Sequence, residues 1–175
     1  GDVAGDANKR IANASGALGT GPVTVAPGAQ IYANTSAIFA NAFSISGDGG
    51  TGSSLDTALR GAIRLDTATV NGPVTLTGDA SVGSYLSGTA TFSGAIGESG
   101  GARTLSINKS SLNSPGTVVL AGGNTYTGGT VVHNGTLSLR GSVSTTGLIQ
   151  VSAGATLGGG GSGGAATLPD NASLA

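Results

Sequence analysis

The sequence predicts an all-β fold in which many short strands stack as a parallel coil. Short runs of apolar and hydroxyl residues recur along the chain, nearly all bounded by Gly, Asn, Asp, Ser or Pro. Related but non-identical phrases return, as in GPVTVAPGAQ, GPVTLTGDAS and IQVSAGATLG. Stacked turns of a solenoid produce such recurrence. Aromatic residues make up only 3%, so Val, Leu, Ile and Ala are expected to fill a narrow interior without aromatic anchors. An antiparallel sandwich also has short strands and frequent turns, and on the residues alone it stays open.

The composition narrows the function classes. Glycine contributes 34 of 175 residues, against a usual share of about 7%. Charged residues are 9% and the net charge is −1. With 38% hydrophobic residues, a weakly charged folded chain fits better than a disordered one. Seven basic residues are spread along the sequence, with Lys9-Arg10 as the one adjacent pair, read as a solvated end. Nucleic acid is therefore not an expected partner. No apolar run reaches the roughly 18 residues of a membrane span. Cysteine is absent, which excludes disulfides and thiolate metal sites and suits a chain that crosses an oxidising compartment unfolded. The chain opens GDVAGDANKR without an initiator Met or a signal peptide, and is read as a processed product or a piece of something longer.

Taken in order, residues 1–18 form a lead-in or the end of a preceding repeat and are the most helix-tolerant part, with a turn or two of helix open at Asp6–Ala14. Residues 19–157 are expected to hold the turns of the coil. Strands are expected at Pro22–Val25, Gln30–Ala33, Phe43–Ile45, Ala62–Leu65, Ala68–Val70, Val74–Thr77 and Ala90–Phe92. Further strands are expected at Arg103–Ile107, Thr117–Leu120, Thr130–His133, Thr136–Leu139, Leu148–Val151 and Ala165–Leu168. Residues 158–175 read as a Gly-rich loop and tail, or the start of a further turn.

The most informative stretch is Val118–Gly141, VVLAGGNTYTGGTVVHNGTLSLRG. Its strands are separated by Gly122-Gly123-Asn124, Gly128-Gly129 and the Asn134-Gly135 turn, whose residues both tolerate positive φ. This stretch resembles the passenger-associated transport repeat of bacterial autotransporters. Leu120, Gly122, Asn124, Thr125, Tyr126, Thr127, Gly128, Gly129, Thr130, Val132, Gly135, Thr136 and Leu137 match the repeat pattern. Ala121 and Val131 are minor departures, and Lys109–Gly116 differs from the more usual Gly-rich lead-in. Ala17–Val25, Phe39–Gly47, Gly72–Ala80 and Val151–Leu157 look like other parts of such modules. The resemblance implies a right-handed parallel β-helix outside the cell or at its surface. It also implies export through the outer membrane by a C-terminal β-barrel absent from this chain. The matching residues are expected to be structural, with Tyr126 packed beside the glycine pair.

Candidate chemistry is sparse. Gly97-Glu98-Ser99-Gly100-Gly101 has the spacing of a nucleophile elbow, but that motif needs a strand-to-helix turn and a His base. His133 is the one histidine and reads as a surface turn residue. Asp48, Asp56, Asp66, Asp79 and Glu98 lie singly among turns, without the strict short period of a calcium-binding roll. The pairs Thr67/Thr69, Thr75/Thr77 and Thr89/Thr91 would order water only if they stacked on one flat face. Tyr32 and Tyr85 remain open as platforms for sugar rings. No enzyme activity, cofactor or metal is expected. The expected role is structural, with adjacent repeats as partners. Two alternatives are a filament subunit stacking end to end, and an adhesin whose loops Gly47–Leu55 and Gly94–Ala102 hold a carbohydrate or host protein.

Overall fold

The computed structural model describes residues 9–50, 59–111, 115–144, 146–163, 166–167 and 173–174. Its named elements are all strands: β1 Lys9–Ile11, β2 Val23–Val25, β3 Gln30–Ala33, β4 Ile38–Phe39, β5 Phe43–Gly47 and β6 Ile63–Leu65. Then come β7 Thr69–Val70, β8 Val74–Ser84, β9 Thr89–Phe92, β10 Ile96–Glu98, β11 Leu105–Ile107 and β12 Thr117–Leu120. The last six are β13 Thr130–Val132, β14 Thr136–Leu139, β15 Ile149–Val151, β16 Thr156–Gly158, β17 Ala166–Thr167 and β18 Ser173–Leu174.

Strand pairing is parallel throughout the described residues, and this excludes the antiparallel sandwich. One sheet has eleven strands and the other seven. The seven-stranded sheet runs β4-β7-β9-β12-β14-β16-β18. The larger sheet contains two ladders joined through the long β8. Val74–Leu76 lies between β5 and β10, whereas Ala80–Ser84 lies between β6 and β11. A turn such as β10-β11-β12 therefore places one strand on each of three ladders, and the next turn stacks on it.

The alternation seen in sequence sorts side chains between core and surface. Val23 and Val25 are buried on either side of exposed Thr24. Register then stacks the inward residues into columns. One column runs Ile31, Ile63, Val82, Ile107, Val132, Val151. Another runs Phe39, Val70, Phe92, Leu120, Leu139. The expectation of a core without aromatic anchors is corrected here. Phe39, Phe43 and Phe92 are all buried in the core cluster.

Other expectations change too. Lys9–Ile11, inside the segment judged helix-tolerant, is a strand paired with β3. Asp6 lies outside the described residues. The strand starting at Val74 continues through Gly78-Asp79 to Ser84, because a register irregularity between Ile45 and Gly47 of β5 absorbs the extra residues instead of a turn. Within the glycine run 158–164, Gly158 belongs to β16 and Ser162 bridges Ser142, so its described part continues the coil. β17 and β18 lie on β15 and β16 as a further turn.

Candidate functional site

The repeat segment lies at the centre of the coil, and its side chains are engaged between turns. Leu120 and Leu137 are fully buried core residues. Gly122 turns the corner out of the seven-stranded sheet. A Cβ there would collide with the carbonyl oxygen of Gly94 one turn earlier. Gly72, Gly94, Gly141 and Gly161 stack in the same column, each with its Cβ position blocked by a carbonyl of the preceding turn. Gly128 faces the Arg103 backbone in the same way, and Gly129 faces Leu148.

Asn124 is 3% exposed. Its Oδ1 accepts from the Ile96 amide at 3.0 Å, while its Nδ2 donates to the carbonyls of Gly122 at 3.0 Å and Ser142 at 2.8 Å. The Thr125 amide donates to the Ile96 carbonyl. The buried Tyr126 hydroxyl lies 2.6 Å from Thr130 Oγ1, which sits at an inward position of β13. Burial pushes the Tyr126 phenol up to about 12, opposed by the Thr130 bond. Gly135 has φ +62°, but Asn134 is not left-handed, so this turn is a corner between sheets and not a hairpin. The Asn134 Nδ2 donates to the Asn108 carbonyl at 3.0 Å.

Sequence reasoning missed several buried polar residues, among them Asn108, Asn41 and Arg64. Asn108 is fully buried with φ +49°. It accepts from the Ser84 amide at 2.8 Å and donates to the Gly116 carbonyl at 3.0 Å. This side chain links Ser84 of the preceding turn to Gly116 just ahead of β12. Asn41 donates to the carbonyls of Gly19 and Gly21. Arg64 is 1% exposed, and its guanidinium carbon lies 4.9 Å from the Tyr32 ring centre and 4.5 Å from that of Tyr85. Those two rings, 5.4 Å apart, therefore pack on Arg64. Burial, with Tyr85 and Asp66 nearby, raises the Tyr32 phenol against the opposing Arg64 charge. The alternation Ile63-Arg64-Leu65 was the one signal that an Arg stands on the sheet's outer side.

The remaining candidates are local. Ser99 lies in a loop between β10 and β11 rather than before a helix. His133 contacts Ser106 Oγ at 3.3 Å, and burial and the Lys109 charge lower its pKa. Glu98 accepts from Thr127 Oγ1 and from the Arg103 amide, and these bonds, the Thr127 hydroxyl first, hold its carboxyl below the usual range. Asp48 pairs with Lys109, and Asp79 accepts from the Thr104 amide. Asp56 and residues 51–55 of the loop Gly47–Leu55 lie outside the described residues. Among the described residues, no group of three His, Cys, Asp or Glu is placed to hold a metal. No helix there is long and apolar enough to cross a membrane.

Threonines irregular in sequence do align in the coil. Thr69 pairs with Thr91, and Thr89, Thr117, Thr136 and Thr156 share one register column of the seven-stranded sheet. Thr75 and Thr77 belong to another ladder.

Residues 113–139 match the family described as passenger-associated-transport-repeat, and the chain carries that repeat. The match begins ahead of Val118 and spans β12, β13 and β14. Searches of curated proteins and of solved structures returned no match.

Proposed function

We propose that this chain is a non-catalytic structural segment of a secreted or surface-displayed bacterial protein of autotransporter passenger type. Its coil is assigned the right hand, which parallel crossover connections strongly prefer. One observation carries the reading. Asn124 and the corner glycines of the matched repeat face neighbouring turns, and Tyr126 and Thr130 bond each other in the core, so the repeat's chemistry is used in stacking and packing. A solenoid gains its contacts from nearest neighbours. It can therefore fold one turn at a time as chain emerges outside the cell, with the outer membrane attachment supplied by another region.

Electron microscopy of the purified chain tests this role. Separate short rods at all concentrations are expected for a segment that extends and presents material. Filaments with a constant axial repeat would replace it with a self-assembling subunit. Specific binding on a glycan array would replace it with an adhesin.

A further inference from the structure

The ladder formed by β2, β5, the first half of β8 and β10 has no named strand after β10 among the described residues. Up to that point a turn of the coil carries three strands. Afterwards the turns carry two, β13-β14 and β15-β16, and the lost ladder is represented by the isolated bridges Gly123–Ser142 and Ser142–Ser162. The coil thus changes cross-section in the middle of the matched repeat.

Asn124 stands at that change. On one side the Ile96 amide of the last three-strand turn donates to its side-chain Oδ1, where a backbone carbonyl would serve in a continuing ladder. On the other side its Nδ2 and its own amide both donate to the Ser142 carbonyl of the next turn. Asn is suited to this place because one carboxamide carries an acceptor and two donors on opposite edges. Asn108 also bonds a backbone amide and a backbone carbonyl at once, but both lie within the three-strand turns. Asn41, at the corresponding corner, donates to two carbonyls of the preceding turn.

We propose that Asn124 is the joint coupling the three-strand turns to the two-strand turns. Without it the two parts open separately. Stability of a stacked array is a sum of unit and interface contributions, and the interface that loses a ladder is the weak one. The part with fewer strands per turn then opens first.

Hydrogen exchange of the full chain, read by mass spectrometry, tests this. In Asn124→Ala, residues 130–158 are expected to exchange about tenfold faster or more, as a buried backbone group left unpaired implies. Residues 63–92 should keep their protection. In Asn41→Ala the loss should be confined to residues near 19–45. If Asn124→Ala fails to fold, Asn124→Asp is read instead. It keeps the acceptor for Ile96 and removes the donors to Ser142, so the loss should again fall on 130–158. Equal loss on both sides of Asn124 would make it an ordinary buried residue, and loss on neither side would remove its role; either result overturns the proposal.

Discussion

The Glu98 carboxylate ties one turn to the next through Thr127, the Tyr126 hydroxyl closes a buried bond to Thr130 within its own turn, and each gives the fold a pH dependence of known sign. Tyr126 ionises near 10 when unfolded and at about 12 when folded. Below pH 10 both states keep the proton. As pH rises from about 10 towards 12, the unfolded state releases it first and stability falls. Alkaline unfolding of the wild type should therefore show a component in that window, and Tyr126→Phe should lack it. The same substitution leaves Thr130 Oγ1 buried without its partner, at a cost of about 1–2 kcal/mol at neutral pH by thermal unfolding. Glu98 behaves oppositely. Its folded pKa is depressed, so its contribution is present above the ordinary value of about 4.3 and is lost as pH falls through the lower folded value. Glu98→Gln should flatten the acid side of the stability curve. An unchanged acid limb would show that the Thr127 and Arg103 bonds do not persist in solution.

Strand positions were legible where alternation and turn residues agreed. Gln30–Ala33, Thr117–Leu120 and Thr136–Leu139 are strands with the expected bounds, because each has turn residues on both sides. Gly78-Asp79 looked like a stop and was not one, since neither Gly78 nor Asp79 has positive φ and the strand passes through with a register shift. Two-residue strands such as Ile38–Phe39 are too short to show a period, and only pairing with β7 defines them. Asn41 and Asn108 could not be read as buried joints, because Asn beside turns normally signals a solvated cap. What makes them structural is the carbonyl one turn away, a contact between residues distant in sequence. For the same reason the threonines looked irregular. Turn lengths vary, and the corners, together with the one register shift between β5 and β8, absorb the variation.

At the scale of the whole molecule, the coil has contacts mainly between successive turns, and the matched repeat occupies the middle of that sequence of contacts. Its glycines are as informative as its larger residues. Gly122 belongs to a column in which backbone packs directly on backbone, so a methyl group there must push two turns apart. Overpacking of this kind costs about 1–3 kcal/mol. Gly160, in a later turn beyond the repeat, has open space at its Cβ position and no positive φ, so alanine there should be nearly neutral. The decisive measurement carries this pair into export, with the chain placed behind a secretion signal and ahead of an outer-membrane β-barrel. Surface amount is read by external protease for the wild type, Gly122→Ala and Gly160→Ala. If stacking of the repeat supports a folded exported segment, Gly122→Ala lowers the protease-resistant surface fraction several-fold and Gly160→Ala leaves it unchanged. Equal surface amounts and equal resistance for all three would contradict the account.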